Sequence, residues 1–348
     1  MKLLNETINA IGTLDQEAME QAQTRLDQLT KPPGSLGKLE AIAIKLAGIT
    51  GELYPDISHR QLVLFAGDHG VVAEGVSAFP QEVTEAMVLN FLNGGAAVNV
   101  FARQGDVQIK LVDVGMIADL THPELQKCKV KAGTNNFCVG PAMTKEEAIE
   151  AIEVGISVAK EAKAQGVQVL ATGEMGIGNT TPSSALASVL AQIPVEQVVG
   201  RGTGVDEAGL KRKISAISRG IELNRPDPMD PLDALAKVGG LEIAGLAGLI
   251  LGAASLRIPI IIDGFISSAA ALVAAKIAPA SKDFMLASHA SVEPGHNQVL
   301  GEIGLEPIIY LDMRLGEGTG AVLAMHLVDA AVLMIKEMAT FAEAGITS

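Results

Sequence analysis

The chain has 348 residues, 48% of them hydrophobic, enough to enclose a sizeable core in one large or two modest domains. Its formal charge of −14, from 40 acidic against 26 basic residues with no long Lys/Arg run, argues against a nucleic-acid surface or an anionic-membrane partner. The two cysteines, Cys128 and Cys138, are too far apart for a C-x-x-C site; they exclude a disulfide scaffold and fit a cytoplasmic, reducing location.

The N-terminal stretch MKLLNETINAIGTLDQEAMEQ carries Glu6 and Asp15 where a secretory leader needs an unbroken apolar segment, so no export signal is expected. The pattern then predicts an amphipathic helix over 15–29, a turn at TKPPGSLGKLE (30–40) whose prolines and glycines stop it, and a second helix to about 51. Beyond it, short apolar, β-branched runs at 61–66, 108–114, 167–171, 258–262, 284–287 and 307–311 alternate with helical patterns. That alternation predicts βαβ units and an α/β, Rossmann-like fold, a mainly parallel sheet of about six strands flanked by helices. The uncharged run 243–256 is too short to span a bilayer and reads as a buried helix. The N-terminal helices and the long last helix, 321–340, lie outside the alternation. Residues 1–55 and 322–348 are therefore expected to form a small helical subdomain beside a large α/β domain over 56–321.

The strands are followed by GDHGV, DVGM, TGEMGIGNTT, DGFISS, SHASVEPGH and DMRLGEGTGA. Polar and glycine-rich residues thus gather at the carboxyl ends of the strands, where open α/β sheets place their ligand crevice. In the last of these segments Gly316, Gly318 and Ala321 fit G-x-G-x-x-A, the dinucleotide turn. Against that reading, no strand pattern follows Ala321 to carry a ribose-binding acid, and Glu317 would set a negative charge beside a pyrophosphate. No G-x-x-x-x-G-K-[ST] occurs, which excludes a P-loop. Glu317 has two readings. It is either a cap on the last helix, favoured by the dipole and the free N–H groups, or a general base whose pKa rises in a partly apolar crevice beside Leu315.

His289, Glu293 and His296 in SHASVEPGH invite a zinc reading, but the order is not H-E-x-x-H and Pro294-Gly295 breaks the helix that would align the ligands, so no metal is expected. Asp68 and His69 have no neighbouring Ser or Cys nucleophile and read as structural hydrogen-bonding groups at a strand end.

Taken together, TKPPGSLGKLE, FAGDHGVVAEGVSAFPQEVTEAMVLNFLNGGAAVNVFA (65–102), GEMGIGNTT (173–181), GRGTGVD (200–206), DGFISSAAAL (263–272), SHASVEPGH (288–296) and LDMRLGEGTGA (311–321) resemble the nicotinate-nucleotide:dimethylbenzimidazole phosphoribosyltransferase family, in the family's order and over nearly the whole chain. The resemblance implies transfer of 5-phosphoribose from nicotinate mononucleotide to a cobamide lower-ligand base with inversion, giving an α-riboside phosphate and nicotinate, with no cofactor. It implies that Glu317 is the general base. It assigns Gly176, Gly202 and Lys213 to the 5'-phosphate, with Gly178, Asn179 and Thr203 in the same loops, and Glu174, Gly264 and Ser291 to the nucleotide. Without the resemblance, Lys213 reads as a solvated helix face and Glu174 as a cap.

The same resemblance draws the base pocket from Phe79, Pro80, Met87, Met175 and Leu315, an apolar, methionine-rich lining suited to a flat ring. Benzimidazole-using members more often carry smaller or polar residues near 79 and 87, so phenol or p-cresol is an alternative acceptor. The family implies a two-fold dimer, either a homodimer or a heterodimer with a paralogous chain. A non-catalytic paralogous subunit is the alternative of another class, against which the presence of Glu317 and Lys213 speaks.

Overall fold

The structure, a computed structural model, describes residues 1–202 and 204–346. Seven strands form one sheet: β1 Arg60–Gly67, β2 Val107–Gly115, β3 Leu125–Lys127, β4 Val169–Met175, β5 Ile260–Ile262, β6 Met285–His289 and β7 Pro307–Ile309, in the order β3-β2-β1-β4-β5-β6-β7. Every pairing is parallel. Six of the strands fall on the predicted runs. The additional one, β3, is a short pairing of Leu125, Gln126 and Lys127 with β2, in a polar segment without an apolar run to announce it.

A parallel sheet is stable only when both faces are covered, and β1 shows how the sequence meets that demand. Leu62, Leu64 and Ala66 enter one apolar core, Val63 and Phe65 the other. On the Val63 face, the helices Lys145–Ala164 and Leu241–Ser255 pack backbone against backbone. Glycines make this approach possible: a Cβ on Gly155 would lie 2.6 Å from the Leu249 amide nitrogen, and one on Gly248 2.7 Å from the Ile152 carbonyl carbon. The run read as a buried helix is Leu241–Ser255, buried from Leu241 to Ala254.

On the Leu62 face lie the helices Gln16–Gln28, Lys38–Thr50 and Thr319–Glu337, whose apolar residues form one core with the strands. Leu29 and Thr340 form an isolated bridge that ties the two chain ends together. The first helix, Lys2–Ala10, belongs to the opposite layer, against Lys145–Ala164 and Leu241–Ser255. Helix Thr319–Glu337 is long and apolar enough by composition to cross a membrane. Here its Ala321, Val322, Ala324, Met325 and Val328 are buried in the core beneath the sheet.

The glycine contact sets a test of stability. Gly155→Ala is expected to lower the unfolding free energy by about 1–3 kcal/mol, the usual penalty for overpacking. Gly140→Ala, where nothing lies within 4 Å of the added carbon, serves as the control. Urea unfolding measures both, and equal midpoints would contradict the close helix contact.

Candidate active site

Strand order reverses between β1 and β4, so the crossovers on either side diverge and leave a crevice at the carboxyl ends of the strands. A cavity of about 450 Å³ opens there, walled by the segments that follow β4, β5, β6 and β7 together with Phe79, Val83 and Met87. It brings together Glu317, Glu174, Gly176, Asn179, Gly202, Gly264 and Ser291 on its polar side, and Phe79, Met87, Met175 and Leu315 on its apolar side. Gly178, Pro80 and Lys213 stand outside the walls. Gly178 adopts φ +85°, and a Cβ there would press on Val72 at 2.7 Å, so it shapes the turn into helix Thr180–Leu190. Pro80 is exposed in the turn before helix Val83–Leu92. Thr203 lies outside the described residues.

Lys213 departs most from its local pattern. Helix Glu207–Asn224, capped by Asp206, carries it inward, where it is 1% exposed. Its Nζ donates to Thr180 Oγ1 at 2.6 Å and to the Gly200 carbonyl at 3.2 Å. Burial pushes its pKa down to about 8 against the attraction of Glu293. Its charge therefore stands directly behind Thr180 and Gly202, both cavity walls.

Gly316, Glu317 and Gly318 all adopt left-handed backbone, with φ of +82°, +63° and +88°. A Cβ at 316 would run into the Glu174 carboxylate, one at 318 would lie 2.5 Å from Leu62 Cδ1, and one at 320 would overlap the His289 ring. Close packing thus explains the glycine spacing that imitates a dinucleotide turn. Holding a non-glycine such as Glu317 at positive φ costs on the order of 1–3 kcal/mol and persists only where the surroundings fix it.

The capping reading of Glu317 gives way to another residue. Gly318 N–H donates to Asp263 Oδ2 at 3.1 Å and Ala321 N–H to Asp263 Oδ1 at 3.0 Å, so Asp263 caps the last helix from the end of β5. The Asp263 N–H in turn donates to Thr172 Oγ1 at 2.9 Å. Glu317, 8% exposed, is left at the cavity wall with Oε2 buried and unpartnered among the described residues. Burial, then the Asp263 charge, pushes its pKa up to about 7. A carboxyl so placed exchanges protons near neutrality.

Glu174 supports this loop from β4. Its Oε1 accepts from the Glu317 N–H at 3.3 Å and its Oε2 accepts from Asn179 Nδ2. Burial raises its pKa to about 8, opposed by the Asn179 bond and reinforced by Asp263 and Glu242. His296 uses both ring nitrogens: Nδ1 accepts from the Ser291 N–H at 2.8 Å, and Nε2 lies 3.0 Å from Ser268 Oγ. Burial and then His289 lower its pKa to about 3, so it is a neutral brace for the Ser291 turn. His69 Nε2 meets Glu242 Oε1 at 2.8 Å, and Asp68 Oδ2 accepts from the Ile117 N–H at 2.8 Å.

Asp263, Thr180, Arg314, His289 and Glu293 also line the cavity and were not among the residues expected there. Asp263 had a visible signal, a carboxylate directly after a strand. Its partner, the start of a helix far away in sequence, had none.

Comparison with known proteins gives a consistent picture. The phosphoribosyltransferase family profile matches residues 11–346. Nicotinate-nucleotide:dimethylbenzimidazole phosphoribosyltransferase of Desulforamulus reducens is 55% identical over 349 aligned positions, covering 100% of this chain and 99% of that protein. The protein of the same name from Chloroflexus aggregans is 57% identical over 348, with coverage of 100% and 99%. A crystal structure from Thermus thermophilus bearing that enzyme name superposes with a TM-score of 0.91 at 49% identity, covering 96% of this chain and 100% of that one.

The electrostatics of the Glu317 wall are open to direct test. A carboxyl NMR titration of Glu317 is expected to have its midpoint near 7. Asp263→Asn removes a neighbouring negative charge that disfavours ionisation, so the midpoint should move to lower pH. An unmoved midpoint would mean that burial alone sets it.

Proposed function

We propose a reaction for this chain, which belongs to the nicotinate-nucleotide:dimethylbenzimidazole phosphoribosyltransferase family: it transfers the 5-phosphoribosyl group of nicotinate mononucleotide to 5,6-dimethylbenzimidazole or a similar cobamide lower-ligand base, giving the α-riboside phosphate and nicotinate. The observation that carries the proposal is the Glu317 carboxyl group at the cavity wall, with its buried Oε2 unpartnered among the described residues and its pKa raised to about 7, and relieved of helix capping by Asp263.

In this mechanism a ring nitrogen of the acceptor attacks the anomeric carbon from the face opposite nicotinate. The bond to the pyridinium nitrogen breaks, its electron pair stays on that nitrogen, and the acceptor's N–H proton passes to Glu317. The leaving group departs as a neutral pyridine ring bearing its carboxylate, so one base and good alignment suffice. The carboxylates of Asp263 and Glu317 at the cavity wall put negative charge where the carbon gains positive charge, an arrangement that favours the transition state. Gly176 leads into helix Thr180–Leu190 and, with Gly202, serves the 5'-phosphate through backbone N–H groups, with Lys213 supplying charge from behind. Gly264 and Ser291 flank the remainder of the nucleotide.

Phe79, Met87, Met175 and Leu315, with Pro80 beside them, receive the acceptor ring. As a second reading, bulky Phe79, Met87 and Met175 fill the space of a fused ring and hold a monocyclic phenol or p-cresol with its hydroxyl at Glu317, giving an α-O-riboside phosphate. The exposed Tyr310, Leu311 and Leu315 near the loop that carries Glu317 suit a two-fold assembly, with a second copy or a paralogous chain. The free, half-buried Cys128 and Cys138 suit a cytoplasmic setting.

Mass spectrometry of products from nicotinate mononucleotide and an equimolar mixture of 5,6-dimethylbenzimidazole, adenine, phenol and p-cresol tests the proposal. A benzimidazole riboside phosphate is the expected main product, and a phenolic O-riboside would favour the second reading. Glu317→Gln, which keeps size but removes the base, is expected to reduce turnover by about 10²–10⁴-fold while nucleotide binding survives. Unchanged turnover in that variant would remove Glu317 from the role.

A further inference from the structure

The phosphate end of the cavity presents an electrostatic difficulty. Glu174, Asp263, Glu293 and Glu317 all line the walls, a poor environment for an incoming phosphate. The buried cation nearest to it, Lys213, already donates to Thr180 Oγ1 and the Gly200 carbonyl, and it lies behind the walls. A Cβ on Gly202 would sit 2.6 Å from Thr180 Oγ1 and 3.1 Å from Lys213 Nζ, so this turn lies close against the cation. A second, exposed cation does reach the cavity: Arg314, in the loop that leads to Glu317.

Arg314 Nη1 donates to the Gly202 carbonyl at 3.2 Å, spanning the mouth between the turn that lies against Lys213 and the loop that carries Glu317. No carboxylate forms a salt bridge with it among the described residues, although acidic side chains line the same cavity. The guanidinium therefore keeps donors available in a planar fork that fits two phosphate oxygens at once, which a lysine ammonium does not. Thr180 adds a matching donor: its Oγ1 already accepts from Lys213, so its own O–H is available to the cavity.

We infer that Arg314 binds the 5'-phosphate of the nucleotide and, through that contact, draws the Glu317 loop into register with the Gly202 turn. The inference rests on the reaction proposed above and adds to it a residue and a coupling. A phosphate that takes no part in bond making would then contribute to positioning the general base, which is how remote binding energy comes to raise turnover.

The test compares wild type with Arg314→Gln and Arg314→Lys on nicotinate mononucleotide and on nicotinate riboside, which lacks only the phosphate. In Arg314→Gln the ratio of kcat/KM for the mononucleotide to that for the riboside is expected to fall about 30-fold or more, as when one partner of a charge-assisted contact is truncated. Arg314→Lys should recover part of the loss, as a point charge without the fork. A ratio equal to that of wild type in both variants overturns the inference while leaving the reaction intact. Inactive wild type would instead count against the reaction. A measurement independent of turnover covers that case: inorganic phosphate, against chloride at matched ionic strength, should raise the melting temperature of wild type more than that of Arg314→Gln. Equal increments would overturn the inference.

Discussion

Asp263 accepts hydrogen bonds from the backbone N–H groups of Gly318 and Ala321, and that pair of contacts decides what Glu317 is left to do. A helix start needs an acceptor for its free N–H groups, and a carboxylate one residue before it would ordinarily supply one. With the need met from β5, the Glu317 side chain turns to the cavity, where burial and the same Asp263 charge hold it near neutrality. One residue thus anchors the loop and tunes the group the loop carries. The two effects are separable in principle, because a neutral amide retains an acceptor oxygen but lacks the charge.

The loop itself is legible only in part from its letters. Gly316, Gly318 and Ala321 stand out as a motif, but a motif does not say whether its glycines make room for a ligand or for the protein. Here Gly316, Gly318 and the neighbouring Gly320 face protein groups: Glu174, Leu62 and His289. These neighbours come from β4, β1 and β6, so no window of local sequence contains the reason for the spacing. The same holds for Lys213. A lysine following Lys211 and Arg212 on an amphipathic helix looks solvated, and its burial follows from Thr180 and Gly200, which belong to other segments.

The fold was more accessible, for a physical reason. Strands of a parallel sheet are buried on both faces, so β1 reads as an uninterrupted apolar run, and the glycine-rich stretches after the strands mark their carboxyl ends. β3 escaped because an edge pairing of three residues needs no apolar run and is fixed by β2 beside it. The first helix, Lys2–Ala10, falls in the region expected to be helical, but the sequence pattern neither marks it as an element nor assigns it to a layer. Its contacts with Lys145–Ala164 and Leu241–Ser255 depend on how those two helices cross.

The acidity of the whole chain and the anionic nature of the proposed nucleotide are reconciled by where charge sits along the cavity. A net charge of −14 would repel a nucleotide at a distance, so capture depends on local donors. In the proposed reaction these are the start of helix Thr180–Leu190, the Lys213 ammonium behind it and Arg314 across the mouth. Glu174, Asp263, Glu293 and Glu317 line the same cavity. A mononucleotide carries phosphate at one end and a cationic ring on the anomeric carbon at the other. In the proposed reaction, negative charge at Asp263 and Glu317 favours the pyridinium and the positive charge that develops as it leaves. A wall that carries Asp263 and Glu317 thus serves, in that reaction, the bond that breaks, while the phosphate depends on donors elsewhere in the cavity.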